Sequence, residues 1–255
     1  MLNFAKIWNG IFCALIALLF LLGIHSDALP HPQGRLAALP RVTLWAWERR
    51  EDLSTLNPQL FAVAYLDRTV TIGLIVNAQP RRSALAIPAA ATRIAVVRIE
   101  APSNAILNDA NREDLEQAIL TTARQPGIAA LQIDFDATKS QRSFYRDLLI
   151  GLRRQMPASL PLSITALASW CSWDDWIRDV PVDEAVPMMF RMEPDHRRAA
   201  PTIDDFQIRE TLCRYSIGVS TNETWPADLA GKRIYVFPDN GWRTDPPAEL
   251  ERRIP

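Results

Sequence analysis

Glycine and histidine are scarce in this 255-residue chain, and each shortage excludes a class of functional site. No two of the nine glycines are closer than ten positions, which excludes the glycine-rich loops whose backbone amides approach nucleotide phosphates. Two of the three histidines lie within the first 31 residues, so a histidine-rich zinc site or a Ser-His-Asp relay is hard to assemble. The 28 basic and 29 acidic side chains nearly cancel, which leaves no broad basic surface for nucleic acid.

Residues 1–28 have the pattern of an export signal. Lys6 supplies a positive start, Ile11 to Ile24 contains no charge, and Ser26 and Ala28 are small residues suited to a cleavage site. The apolar run of about 14 residues is shorter than the roughly 20 that cross a bilayer. An uncleaved N-terminal anchor is the alternative. In both cases we expect a periplasmic or extracellular protein that contacts a membrane only through this segment, if it is retained.

Export changes the interpretation of the three cysteines. Cys13 leaves with the leader if the leader is cleaved, so that Cys171 and Cys213 remain in an oxidising compartment. We expect these two to form a disulfide, with two separately buried thiols as the alternative.

The rest of the chain divides into a linker, residues 29–40, and one domain, residues 41–255, in which β-rich runs alternate with helical or loop segments. This order predicts an α/β fold, a compact (β/α)8 TIM-like barrel, with an open doubly wound sheet as the alternative. Two helices are expected, one capped by Asp109 or Asn111 and one capped by Ser140. Thr69 to Val76 predicts an additional strand or hairpin. The eight predicted barrel strands are Val42–Trp47, Leu60–Leu66, Ile94–Ile99, Ile128–Asp134, Leu162–Leu167, Ala185–Phe190, Ser216–Ser220 and Arg233–Phe237.

The fourth predicted strand has one polar and one apolar face. Gln132, Asp134 and Asp136 alternate with Leu131, Ile133 and Phe135, so we expect the polar set to point into the barrel and the apolar set to face the helices. The polar set rises toward the carboxyl end of the strand, where barrel enzymes carry out their chemistry. Asp134 and Asp136 are therefore candidate catalytic residues.

Polar and aromatic residues at the carboxyl ends of other strands should converge at the same end of the barrel, which we call the mouth. Glu48 is a third candidate catalytic residue because it follows the first strand. Two close carboxylates do not both ionise easily, so we expect one raised pKa, unless Arg191 points inward and neutralises the pair. Asp183 and Glu184 precede the sixth strand, which indicates a structural role. The predicted substrate-binding residues are Gln132, Trp45, Trp47, Arg191, Glu223, Tyr235 and Trp242.

Several stretches resemble a bacterial family, the domain of unknown function numbered 3142. The family has no established activity, so the resemblance implies architecture and export more than function. The matching stretches are Leu131–Ala137, Ser140–Arg142, Phe144–Tyr145, Trp45–Arg49, Leu162–Cys171 and Pro181–Met192.

The fourth strand is also distantly similar to chitinase-like glycoside hydrolase barrels, whose fourth strand ends in an acidic D-x-D-x-E pattern. By position, Gln132 takes the first acidic place, Asp134 the second and Asp136 the place of the proton donor. Gln132 is uncharged, and Asp136 is one methylene shorter than the expected Glu. Trp242 resembles the tryptophan that forms the floor of the sugar pocket in such barrels.

These features favour an exported, carbohydrate-active barrel that hydrolyses a glycosidic bond in an envelope or extracellular polysaccharide. Asp136 would be the general acid, Asp134 would orient it or a substrate acetamide, and Glu48 or Glu223 would be the second carboxylate. The alternative is a non-catalytic barrel that binds a glycan or a protein. A metal-dependent transferase is disfavoured because exported proteins meet little nucleotide sugar. We expect a carbohydrate ligand, no nucleic acid, no cofactor and no metal.

Overall fold

The computed structural model describes residues 32–102, 104–190, 207–244, 247–250 and 252–254. The predicted export signal and Arg191 lie outside these ranges. Within them the strands are β1 (Val42–Ala46), β2 (Glu51–Asp52), β3 (Phe61–Ile72), β4 (Val76–Pro80), β5 (Leu85–Ala86), β6 (Thr92–Glu100), β7 (Ala130–Asp134), β8 (Leu162–Leu167), β9 (Glu184–Met188), β10 (Ser216–Ser220) and β11 (Arg233–Phe237). The helices are α1 (Pro32–Leu36), α2 (Asp109–Ala123), α3 (Arg142–Gln155), α4 (Ala168–Ser172) and α5 (Pro247–Leu250).

Eight parallel strands close into a barrel. They pair in the order β1, β3, β6, β7, β8, β9, β10 and β11, and β11 pairs again with β1. The closing pairs include Val42 with Ile234 and Leu44 with Val236. This closure confirms the (β/α)8 barrel and excludes the open doubly wound sheet.

Strand β7 presents the predicted faces. Leu131 and Ile133 are fully buried in the cluster between the barrel and the helices, which also contains Leu148 and Leu152 of α3. On the opposite face, the amide of Gln132 lies in the barrel interior, where its Oε1 accepts a hydrogen bond of 2.7 Å from the indole of Trp45. Because side chains alternate along a strand, Asp134 shares this inward face.

Buried charges at the amino end of the barrel are paired, as expected for a structural role. Asp183 forms ion pairs with Arg35 and Arg153 and accepts a hydrogen bond of 2.7 Å from the backbone amide of Leu162. Glu184 pairs with Arg233 at 3.1 Å and accepts a hydrogen bond from the hydroxyl of Tyr235. These contacts join β8, β9 and β11 at the end opposite the mouth.

Part of the predicted linker packs on this amino end. Residues Pro32–Leu36 form helix α1, and Leu36 and Leu39 are buried in the cluster that fills the barrel interior. The burial of apolar side chains explains why this proline-containing segment is ordered against the barrel.

The two principal helices have caps one to three residues before the predicted ones. Asn108, rather than Asp109 or Asn111, caps α2, since its Oδ1 accepts a hydrogen bond of 2.8 Å from the amide of Asn111. A short 3-10 turn, Lys139–Gln141, precedes α3, and Thr138 replaces Ser140 at its start. The backbone amide of Thr138 donates to Gln141 Oε1 at 2.9 Å, which satisfies a donor at the helix entrance.

The predicted disulfide between Cys171 and Cys213 is confirmed, with 5.8 Å between the two Cα atoms. It links α4 to a 3-10 turn, Thr211–Cys213. The carbonyl of Cys171 also accepts backbone hydrogen bonds from Arg209 and Glu210 at 2.9 and 3.1 Å. The link therefore fixes the approach to β10 against the end of β8.

The expected hairpin after the second barrel strand is formed by β3 and β4, which pair antiparallel from Arg68 with Pro80 to Ile72 with Val76. Arg81, directly after β4, fixes the hairpin to the end of β1. Its guanidinium donates to the carbonyls of Trp47 at 2.7 Å and Arg49 at 2.5 Å. Burial lowers the pKa of Arg81, and the charges of Glu48 and Glu51 oppose this shift.

Replacement of Arg81 by methionine should lower the free energy of unfolding by about 2 kcal/mol, because several partly buried carbonyls lose their donor. Urea unfolding measures this change. The matched control is Arg82→Met, since Arg82 is exposed and contributes only its backbone amide to the contact with Glu48. Equal losses in the two variants would contradict the role assigned to the Arg81 guanidinium.

Candidate active site

Asp134 is the inward residue at the carboxyl end of β7, and it is held from both neighbouring strands. Its Oδ2 accepts a hydrogen bond of 2.7 Å from Arg98 Nη1 on β6, and its Oδ1 accepts one of 2.7 Å from the hydroxyl of Thr165 on β8. Asp134 is 3% exposed. Both carboxylate oxygens therefore have fixed partners, and the side chain is oriented beneath the mouth rather than free to follow a ligand.

Asp136 lies two residues further along, on the exposed rim of the mouth. Although the residue as a whole is exposed, partial burial of its carboxyl is the largest cause that raises its pKa, and the charge of Asp134 raises it further. Arg98 opposes this shift. The two aspartates thus occupy different environments: Asp134 is buried and ion-paired, whereas Asp136 is accessible and has a raised pKa.

Arg98 is a site residue that the sequence analysis missed. It forms the ion pair with Asp134, and its Nε lies 3.5 Å from Glu100. Burial lowers the pKa of Arg98, but the carboxylates, Asp134 first, outweigh it and raise the pKa. Arg98 therefore supplies the neutralising charge that was expected from Arg191, which lies outside the described residues. The signal was weak because β6 is apolar on both faces, so its alternation does not show which side faces inward.

Aromatic rings line the interior below and beside the two aspartates. Trp45 contacts Trp47 at 4.3 Å and Phe237 at 5.1 Å between ring centroids, and Phe190 lies 4.9 Å from Phe237. Trp47 is only partly buried, and the Arg98 guanidinium lies 5.9 Å from its ring. Trp47 and Phe190 are both partly exposed, so these two rings can contact a ligand at the mouth.

Three predicted substrate-binding residues are too deeply buried in the barrel interior to touch a ligand. Gln132, Trp45 and Tyr235 are fully buried in the barrel interior, where Gln132 also donates to Ser163 Oγ at 3.1 Å. On each strand, only the inward side chain nearest the carboxyl end reaches the mouth. These three residues are inward side chains nearer the amino end. Their role is to support the layer at the mouth.

Trp242 also differs from its expected position as the floor of a sugar pocket. It is 2% exposed and packs in the cluster outside the barrel with Leu44 and Val236. Its indole donates to the carbonyl of Trp45 at 2.9 Å. The loop after β11 therefore folds down over the outside of the strands, and Trp242 stabilises the end of β1.

The two other candidate carboxylates lie in loops at the mouth. Glu48 Oε1 accepts hydrogen bonds from the amides of Arg82 and Ser83 at 3.1 and 2.8 Å. Burial would raise the pKa of Glu48, but the hydrogen bonds from Ser83 and Arg82 and the charge of Arg81 outweigh it and lower the pKa. Glu223 is partly buried in the loop that follows β10.

No cluster of three or more His, Cys, Asp or Glu side chains suited to a metal ion occurs among the described residues. No helix in the same ranges is long and apolar enough to cross a membrane. A cleft of about 450 Å³ is lined by residues 178–180 and 209–212, none of which belongs to the site around Asp134.

A family model described as Domain of unknown function (DUF3142) matches residues 90–183. The match confirms the resemblance seen in the sequence and includes Arg98, Asp134 and Asp136. No curated protein sequence matches the chain.

Three solved structures are similar to this barrel. The spore cortex-lytic enzyme SleL of Bacillus cereus aligns with 71% of this chain and 52% of its own, at 15% identity and a TM-score of 0.50, so this chain spans about half the length of that protein. A family GH18 chitinase from Chromobacterium violaceum aligns over 88% and 87%, at 11% identity and a TM-score of 0.49. The chitinase domain of the spore coat protein CotE from Clostridium difficile aligns over 68% and 57%, at 13% identity and a TM-score of 0.44. At 15% identity, the likeness to the first of these structures shows the fold alone, a (β/α)8 barrel.

Proposed function

We propose that the protein is an exported glycoside hydrolase that cleaves a glycosidic bond in an envelope or extracellular polysaccharide, with Asp136 as the general acid. The observation that carries the proposal is the unequal environment of the two aspartates at the end of β7. The raised pKa favours the protonated form of Asp136, which is the form that can donate a proton to a glycosidic oxygen. Asp134, whose two oxygens bind Arg98 and Thr165, is a positioning residue that acts through its charge on Asp136.

The two aspartates cannot flank a scissile bond, since Asp134 ends β7 and Asp136 follows it after one residue, so that both carboxyls come from the same side of the mouth. A second carboxylate or the substrate itself must stabilise the positive charge that develops on the sugar. Glu48 has a lowered pKa and stays ionised, which suits it to stabilise a cation rather than to take up a proton. An N-acetylated sugar would supply its own acetamide oxygen instead. We therefore place N-acetylated glycans first among the substrates.

One observation favours a second function, a glycan-binding barrel without catalysis. Arg98 neutralises Asp134 and works against the raised pKa of Asp136, which reduces the fraction of Asp136 that carries a proton to donate. The partly exposed Trp47 beside Arg98 provides a flat apolar surface of the kind that contacts sugar rings.

Release of new reducing ends from polysaccharides distinguishes the two functions. Purified protein lacking residues 1–28 is incubated with chitin oligosaccharides, peptidoglycan and an unacetylated glucan, and binding to the same polymers is measured in parallel. We expect reducing ends from an N-acetylated polymer. Binding without release would favour the non-catalytic barrel, and neither binding nor release would contradict both functions.

Opposite shifts of the Asp136 pKa are expected when its two charged neighbours are removed. Arg98→Gln removes a cation and should raise this pKa further, whereas Asp134→Asn removes an anion and should lower it. Because the general acid must be protonated, the decline of activity at high pH should move to higher pH in the first variant and to lower pH in the second. Carboxyl titration by NMR measures the same shifts without activity. Equal shifts in one direction would indicate general damage to the site.

A further inference from the structure

Strands β3, β4 and β6 continue past the barrel mouth as a three-stranded extension. β3 has 12 residues and β6 has nine, against five in β7. Their parallel pairing continues to Thr71 with Glu100, while β4 pairs with the other edge of β3. Arg98, which pairs with Asp134 in the strand register, lies where the extension leaves the barrel. The extension is thus continuous with the candidate active site.

A β-bulge decides which side chains of the extension face the mouth. Leu66 pairs with Val96, but Arg68 pairs with Val97, so that Asp67 is an extra residue in β3. One extra residue exchanges the two faces of the strand beyond it. As a result, Val70 and Ile72 are fully buried in the cluster against α2 instead of pointing toward the mouth.

The bulge is fixed to α2 and to the segment that follows it through the carboxylate of Asp67. Asp67 Oδ2 accepts a hydrogen bond of 2.6 Å from the Thr122 hydroxyl, and its Oδ1 accepts one of 3.0 Å from the amide of Gln125. Its backbone carbonyl accepts a hydrogen bond of 2.7 Å from the amide of Arg81. The face exchange is therefore a built feature of the extension and not an irregular end of a strand.

The mouth-side face of the extension is polar on all three strands. We call it the polar platform, and by strand register it consists of Thr69, Thr71, Asn77, Gln79, Arg98 and Glu100. Asn77 and Gln79 are exposed, and the two threonines are partly exposed. Arg98 Nε and Glu100 Oε1 lie 3.5 Å apart, so the two opposite charges offset each other. Hydroxyls and amides therefore dominate the surface.

We infer that the polar platform binds the part of a neutral polysaccharide that extends out of the mouth, an inference that rests on the proposed function. Amides and hydroxyls both donate and accept hydrogen bonds, which matches the hydroxyl and acetamide groups of a neutral sugar chain. A polyanionic glycan would meet the carboxylate of Glu100. A protein partner would need an apolar centre of contact, which this face lacks. The platform extends about 7 Å beyond Arg98 along the strands and about 10 Å across the three strands. These dimensions suit an extended sugar chain.

The test is the dependence of binding on chain length. Binding of the N-acetylglucosamine disaccharide and hexasaccharide is measured by calorimetry in protein carrying Asp136→Asn, which slows cleavage of either ligand during the measurement. Asn77→Ala combined with Gln79→Ala should weaken hexasaccharide binding about tenfold, because two hydrogen-bonding side chains are lost, and leave disaccharide binding unchanged. The matched control is Gln59→Ala combined with Gln117→Ala, which removes two exposed amides away from the mouth.

Each outcome decides the inference. Weaker hexasaccharide binding in the platform variant alone supports it. Unchanged hexasaccharide binding, or an equal loss for both ligands, overturns it even if the wild-type protein releases reducing ends. If the protein binds the hexasaccharide through the platform but the form with Asp136 intact releases no reducing ends, the platform stands and the proposed catalysis fails. If the protein does not bind the hexasaccharide, the inference is wrong.

Discussion

Asp136→Asn is expected to slow glycosidic hydrolysis by about 10² to 10⁴-fold while the barrel remains folded. Asparagine has nearly the same shape as aspartate but has no acidic proton to donate. Asp136 is exposed, so the free energy of unfolding should change by less than about 0.5 kcal/mol. Turnover of N-acetylglucosamine oligosaccharides and thermal unfolding together measure the two effects. Asp147→Asn, at an exposed position of α3, is the matched control.

A substrate with an acidic leaving group makes this prediction specific to proton donation. The leaving group of such an aryl glycoside departs without protonation. Asp136→Asn should therefore slow hydrolysis of the aryl glycoside far less than hydrolysis of an oligosaccharide. An equal loss for both substrates would assign Asp136 to ligand binding instead of acid catalysis. Full activity on the oligosaccharide would remove Asp136 from the mechanism.

Loss of the disulfide between Cys171 and Cys213 should lower the free energy of unfolding by about 4 kcal/mol. The bond closes a loop with a sequence separation of 42, and the chain-entropy model gives this value for a loop of that length. Urea unfolding of the Cys171→Ala/Cys213→Ala double variant measures the loss. Alanine avoids placing a new polar group at two buried positions.

Reductant provides the control for this second prediction. Dithiothreitol should destabilise the wild-type protein by a similar amount and should leave the double variant unchanged. A double variant as stable as the oxidised wild-type protein would show that the loop is already restrained by other contacts, such as the backbone hydrogen bonds at Cys171.

The inward face of β7 could be predicted because its two faces differ in chemistry. Gln132 and Asp134 alternate with Leu131 and Ile133, and only one assignment buries the apolar set against the helices. No such difference exists in β6, where Ala95 and Val97 on one face are as apolar as Ile94 and Val96 on the other. The inward position of Arg98 depends on strand register, which a single strand does not encode.

The height of a side chain along the barrel axis could not be predicted from the sequence either. Tyr235 shares the inward face of β11 with Phe237, yet Tyr235 binds Glu184 near the amino end while Phe237 contacts Trp45 and Trp47. Alternation gives the face of a residue but not its height, because height depends on how neighbouring strands are staggered. The same limit applies to the bulge at Asp67, where one extra residue exchanges the two faces of β3.

The paired charges at the amino end of the barrel bear on protein engineering. Asp183, Glu184 and their arginine partners link the strands at the end opposite the mouth, so stabilising ion pairs and the candidate active site lie at different ends of the barrel. A combinatorial library confined to β4 and to the rim around Asp136 would therefore sample new specificities on a scaffold whose folding it leaves intact.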